Sequence, residues 1–144
     1  MSHSSPDNSA QVDRCAVADA LARLAAAWNA GDVSGYAVQF TEDATYVAFN
    51  GEVMRGRAAI EDTHRFLFEG PLRYSRLTTG NDNVPADEAR FVRPGVALVL
   101  SGGGVQPAGE PELDPDRESV AYLVLVGDGG AWQIAAFHNT RRQR

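Results

Sequence analysis

The apolar residues of this chain change their period twice. Val17, Leu21, Leu24 and Trp28 fall at i, i+4, i+7 and i+11, a single stripe of an amphipathic helix in which alanine fills much of the remainder. This spacing predicts a helix from Val12, with Gly31 as its stop and Asp32 as the N-cap of a short second helix. Val33, Tyr36, Ala37 and Phe40 would form the inner face of that second helix. Period two then takes over: Thr45, Val47 and Phe49 point one way, and Ala44, Tyr46 and Ala48 the other. Asn50-Gly51 predicts a hairpin, with residues 52–55 returning antiparallel. Residues 57 to about 68 read as a third helix carrying Ile60, His64 and Leu67 on one face, ended by Gly70-Pro71.

Beyond Pro71 the pattern is strand and turn throughout. Strands are expected near 73–84, 88–93, 96–105, 117–127 and 131–141, with residues 127–130 turning between the last two. Residues 96–100 and 120–126 are almost wholly apolar, which predicts central strands buried on both faces. Three helices can cover one face, and a second subunit is the simplest cover for the other. Residues 101–116, rich in Gly, Pro and acid, read as a long solvated loop or lid. The Ser- and Asn-rich residues 1–11 are expected to be a disordered tail, leaving 12–144 as one α+β domain.

Composition narrows the chemistry. A chain of 144 residues suits one domain with a real core. There are 13 basic side chains, all of them arginine. No Schiff-base lysine or phosphate-loop lysine is therefore available. Cys15 stands alone, so no intrachain disulfide or Cys-x-x-Cys metal site can form. His3, His64 and His138 are the only imidazoles, and a three-histidine zinc site would need the tail, so no metal is expected. No Gly-x-Gly-x-x-Gly supports a dinucleotide, and no cofactor is expected. A net charge of −6 argues against nucleic acid as a partner. No apolar run reaches membrane-spanning length, and the first residues do not resemble a signal peptide, so a cytoplasmic location is expected.

Few residues remain for chemistry. His64 occupies a helix position where a leucine would be ordinary, and is either a satisfied core histidine or a pocket acid/base. Strict alternation in the last strand puts Trp132, Ile134, Ala136, His138 and Thr140 on one face. Gln133, Ala135, Phe137, Asn139 and Arg141 share the other. His138 is open to the same two readings as His64, and Asn139 could orient a ligand carbonyl or contact a second subunit. Glu42 or Asp43 could be a general base or simply hold a turn. Tyr36 and Tyr46 could donate to a developing oxyanion or to backbone. Trp28, Phe40, Phe49 and Phe68 are either core or the apolar wall of a substrate pocket.

The run Trp28-Asn-Ala-Gly-Asp32, followed by Phe40-Thr-Glu-Asp-Ala-Thr-Tyr46, Gly56-Arg-Ala-Ala-Ile60 and Trp132-x-Ile-x-x-Phe-His-Asn-Thr140, resembles the nuclear-transport-factor-2-like superfamily, its SnoaL-like branch most of all. Within that branch, His64-Arg-Phe-Leu-Phe-Glu-Gly70 and Ala136-Phe-His-Asn-Thr-Arg141 resemble the SgcJ/EcaC family of enediyne biosynthesis. The resemblance covers about residues 12–142. It implies a cone in which a curved, mostly antiparallel six-stranded sheet and three helices enclose a cavity, and a homodimer formed through the sheet. It also implies a cofactor-independent role with the enediyne polyketide synthase, turning a linear polyene towards the enediyne core. His64, His138, Asn139 and Tyr46 would then be the catalytic candidates, and Trp28, Tyr36, Phe40, Phe49 and Phe68 the substrate-binding ones. A non-catalytic shelter for the intermediate, or a dimerisation scaffold for the synthase, would need much the same fold.

Overall fold

The computed structural model describes residues 6–127 and 130–143, and side chains from Ala10 onward. Three helices lie against one face of a curved sheet of seven strands. Helix α1 (Pro6–Ala30) buries Val17, Leu24 and Trp28 of the predicted stripe together with Ala20 and Ala27, while Leu21 is half-buried. It starts ahead of the expected Val12, so residues 6–11 are helical rather than a disordered tail, and residues 1–5 lie outside the described set. Pro6 and Asp7 are residue types that favour a first helical turn. Gly31 ends the helix at φ +67°, and the Asp32 carboxylate accepts from the Gly35 amide at 3.0 Å to start α2 (Val33–Ala37). Phe40 belongs to the first strand rather than to α2. Helix α3 (Arg57–Glu69) buries Ile60, His64 and Phe68, with Leu67 half-buried beside them.

The strands are β1 (Phe40–Val47), β2 (Val53–Arg55), β3 (Arg76–Thr79), β4 (Glu88–Arg93), β5 (Val96–Gln106), β6 (Glu118–Gly127) and β7 (Trp132–Arg141). Their order is β2-β1-β7-β6-β5-β3, with β4 also paired to β5. β1 and β7 run parallel and every other pair is antiparallel. The seven strands read from the residues all form, one more than the six the resemblance implies, because β5 is long enough to pair β4 along residues 96–100 and β3 along 103–106. The Asn50-Gly51 hairpin forms as predicted, with Gly51 at φ +89° and the Asn50 side chain accepting from the Glu52 amide. Of the turn expected at 127–130, Asp128 and Gly129 lie outside the described residues.

The expected loop at 101–116 is corrected to a much shorter one. Ser101 to Gly104 continue β5, and only residues 107–114 are irregular before a 3-10 turn at Pro115–Arg117. Glycine is needed there because backbone crowds in from both sides. A Cβ on Gly102 would sit 2.5 Å from the Val84 carbonyl oxygen, and one on Gly104 2.5 Å from that of Arg117. The run that looked flexible is a close-packed strand. The strand expected at 73–84 likewise shortens to Arg76–Thr79, held against α1 where the Leu77 amide donates to the Asn29 side chain at 2.8 Å.

The sheet's inner face, Ala97, Val99, Leu123, Leu125, Trp132 and Ile134, is buried under the helices. On the outer face Leu98, Leu100, Val120, Val124 and Val126 are half-buried and Tyr122 is exposed. Burial on both faces therefore does not hold within a single chain, because no described element covers the outer side. No described helix is long and apolar enough to cross a membrane.

Candidate functional site

Where the sheet curves away from α1 and α3, the space is not filled. Two contiguous chambers, with volumes of about 130 and 330 Å³, share Trp28, Tyr46, Val105, Ser119 and Asn139 as common wall. The smaller runs between α1 and the glycine strand towards Asp87 and Ser101. The larger opens past Phe49 and Pro71 and is backed by His64.

His64 stands on α3 with only 1% of its surface exposed. Its Nδ1 lies 2.7 Å from the Ile60 carbonyl, one helical turn earlier. A carbonyl only accepts, so Nδ1 carries the proton and Nε2 is left as the acceptor of the neutral ring. The ring sits among Tyr36, Tyr46, Trp28 and Phe68, with centroid distances from 4.6 to 5.9 Å. Burial pulls its pKa down to about 4, against a smaller upward pull from the Ile60 hydrogen bond. At pH 7 it is a neutral imidazole in an aromatic box.

This carries a stability consequence. The neutral ring suits the fold, while the unfolded chain takes up a proton below about 6.5. His64 therefore stabilises the fold fully above that pH and loses its contribution as pH falls towards 4. The gap is worth about 3 kcal/mol. We expect urea unfolding at pH 7 and pH 4 to show a fall in stability larger by about that amount in the native chain than in His64→Gln. Equal falls in both would show that the buried ring does not titrate in this way.

The tyrosines complete the box. The Tyr36 and Tyr46 hydroxyls are 3.2 Å apart and buried. Desolvation raises both pKa values, Tyr46 to about 12, and the shared hydrogen bond raises Tyr36 and lowers Tyr46. Either hydroxyl can donate to the other, and the arrangement in which Tyr36 donates leaves the Tyr46 proton for the cavity. Tyr46 is held in place by stacking on Phe137, its register partner in the parallel β1–β7 pair, at 4.3 Å and 14°. Trp28 donates from its indole to Ser75 Oγ at 3.0 Å, and Ser75 donates on to the Leu72 carbonyl at 2.6 Å. Asn139 lines both chambers, and its buried Oδ1 accepts from no group among the described residues. A buried acceptor without a partner is uncommon and marks a place where a ligand donor fits.

Of the nine candidates, His64, Tyr46, Asn139, Trp28 and Tyr36 line the cavity. Phe49 stands at its mouth, 47% exposed. Phe40 and Phe68 pack behind the box as core. His138 is the clear correction: it is exposed on the outer face, opposite Tyr122, and does not converge with His64. The cause is a β-bulge. Leu125 pairs with Ile134 and Val124 with Ala136, leaving Ala135 unpaired, so inside and outside exchange at that point. Phe137, Asn139 and Arg141 consequently turn inward. Glu42 and Asp43 are exposed, and Asp43 accepts from the Thr41 hydroxyl at 3.0 Å rather than reaching the cavity.

The sequence reading passed over Arg117, Arg141, Ser119, Asp87 and Ser101, all of them on the cavity wall. The last strand's inward arginine becomes visible only once the bulge is known. Asp87 and Ser101 meet at 2.7 Å across fourteen residues, and no local pattern marks that pairing.

Related proteins share this architecture. The chain superposes with a TM-score of 0.81 on a domain of unknown function with a cystatin-like fold from Nostoc punctiforme, at 29% identity over 92% of this chain and 79% of that one. A protein of unknown function from Mycobacterium tuberculosis also gives 0.81, at 22% identity over 99% and 79% of the two chains. A candidate scytalone dehydratase from Novosphingobium aromaticivorans gives 0.73, at 15% identity over 95% and 89%. No curated protein matches the chain by sequence. The family model of the SnoaL-like domain matches residues 11–138, nearly the whole of the cone and its cavity wall. The chain belongs to the SnoaL-like domain family.

Proposed function

We infer that the protein is a cofactor-independent enzyme of the isomerase or cyclase kind, acting on an apolar small molecule held in the cavity. One observation carries this reading: a neutral imidazole, fixed by its Nδ1 hydrogen bond, backs an aromatic chamber beside a tyrosine hydroxyl and an unpartnered amide oxygen. His64 Nε2 takes a proton from a carbon next to a carbonyl or polyene system, the double bonds shift, and the imidazolium returns the proton at another carbon. Atoms balance without an oxidant or a metal. The Tyr46 hydroxyl, whose pKa of about 12 keeps it protonated, donates to the oxygen on which charge develops. Burial makes His64 a weak base in the empty cavity, and the negative charge forming beside it in the transition state favours the imidazolium.

The resemblance to the SgcJ/EcaC family supplies a substrate class, a linear polyene made by an enediyne polyketide synthase. Two adjoining chambers with largely apolar walls suit a chain-like conjugated molecule. The likeness to the candidate scytalone dehydratase supports a cavity enzyme of this general kind and goes no further than the fold. We place the protein in the cytoplasm as a homodimer. The apolar outer face, with Leu98, Leu100, Val124 and a 43% exposed Tyr122, is the surface a second copy would cover, and His138 lies in it. The low basicity of His64 in the empty cavity favours a second reading, a shelter that binds the same polyene without converting it.

Incubating the purified protein with the linear polyene released by such a synthase separates the two readings. We expect a shift in the polyene absorption spectrum that continues through many equivalents of substrate. A spectrum that changes only up to one equivalent, with the polyene recovered unaltered, would leave the shelter in its place.

A further inference from the structure

Proton transfer makes no use of one charge arrangement in the larger chamber. Its wall carries two guanidinium groups, Arg117 and Arg141, and no carboxylate. Ser119 faces Arg141 directly across the β6–β7 ladder, and Arg117 ends the 3-10 turn that leads into β6, two residues before Ser119. The two arginines thus line one chamber wall, and placing like charges on a shared wall is unfavourable by itself. The chain has 19 Asp and Glu residues and a net charge of −6, so acids to neutralise a surface pair are abundant. They are used elsewhere: Arg65 pairs with Glu61 and Asp62, and Arg142 with Asp82 and Glu118. Among the described residues neither Arg117 nor Arg141 forms an ion pair. Arg141 instead rests over the Phe49 ring at 3.9 Å, a contact that consumes none of its N–H donors.

We propose that Arg117 and Arg141 form a head-group site for the carboxylate of an otherwise apolar ligand, a proposal that rests on the cavity being the ligand site inferred above. A carboxylate meets guanidinium donors in the bidentate geometry that both groups favour, and there it neutralises the cation pair. The wall deeper in supplies the apolar body's surroundings: Trp28, Tyr46, Leu67 and Val105. Charge also sets direction. The far chamber ends at Asp87, which accepts from Ser101 at 2.7 Å and repels an anion. The ligand therefore enters with its acid at the Arg117 and Arg141 mouth and its apolar tail towards Asp87. His64 and the orphan Asn139 oxygen flank the portion between. Such a ligand arrives as a free acid, so a thioester-bound precursor must first be hydrolysed, because a thioester has no charge at that end.

The test uses a matched pair of conjugated probes, retinoic acid and retinol, which share a polyene and differ in the terminal group. Both absorb where tryptophan emits, and Trp28 on the chamber wall reports their binding by quenching. At pH 7.5 retinoic acid is expected to bind at least tenfold more tightly than retinol. Raising sodium chloride from 50 to 500 mM should weaken the acid alone. Arg117→Gln and Arg141→Gln should each cost the acid about tenfold, leave retinol within twofold, and together remove the preference. Equal affinity for the two probes overturns the head-group site while leaving the cavity reading intact, and so does a preference that survives in the double variant. Failure of both probes to bind overturns the cavity reading itself, and the head-group site with it.

Discussion

His64→Gln is expected to slow turnover of the polyene by about 10²–10⁴-fold, the range a positioned acid/base supplies, while substrate binding changes little. Glutamine preserves what the fold requires at this position. Its amide can donate to the Ile60 carbonyl that His64 Nδ1 now satisfies, and its volume is close to that of the ring it replaces. What it lacks is a ring nitrogen with a lone pair that can take a proton from the substrate and return it. Turnover and binding should therefore separate: turnover falls by orders of magnitude, and quenching of Trp28 by the bound polyene stays within about threefold. Measuring both on the same preparation decides the matter. Turnover within tenfold of the native rate would show that His64 is a wall residue and move the proton-transfer role to other groups.

Gly103→Ala should produce the largest loss of stability of any single methyl addition in the sheet. Gly103 has φ +147°, and a Cβ built on it would fall on the Thr78 carbonyl oxygen, an atom of the neighbouring β3 backbone that no rotamer change can move. Overpacking and backbone strain together predict a cost of about 3 kcal/mol or more. Gly103 also lines the smaller chamber, so relief by moving β3 would reshape that space. Urea unfolding monitored by Trp28 and Trp132 emission checks this directly. A loss below about 0.5 kcal/mol, the size of an ordinary surface substitution, would mean that β3 can retreat freely and that the glycine strand is not what holds it.

These two residues also show how differently local signals are read. His64 was visible as a polar residue on a helical stripe, because a period of 3.6 assigns a side chain to a face without help from the rest of the chain. The glycine run looked like a mobile loop, because composition records the absence of side chains and not what crowds against the backbone. Gly102, Gly103 and Gly104 are close-approach positions, and the atoms that approach belong to Val84, Thr78 and Arg117, up to twenty-five residues away in sequence.

Local chemistry carried by neighbouring residues was determined by the sequence alone: the amphipathic stripe of α1, the Asp32 cap, the Asn50-Gly51 hairpin, the inward position of His64, and the absence of lysine and paired cysteine. Each depends on one turn of helix or one pair of strands. Only the tertiary structure decided which residues of the last strand face the cavity. Alternation assigned His138 and Asn139 to opposite faces correctly, but which face is inward depends on a single unpaired residue, Ala135. That bulge exists through the pairing of β7 with β6, so it cannot be read from β7 itself. The same holds for the cavity: its walls come from α1, α3 and β1, β5, β6 and β7 at once, and Arg141 reaches the wall beside Ser119 only because the two are register partners. Periodicity is a property of a segment, whereas register and enclosed space are properties of segments packed together.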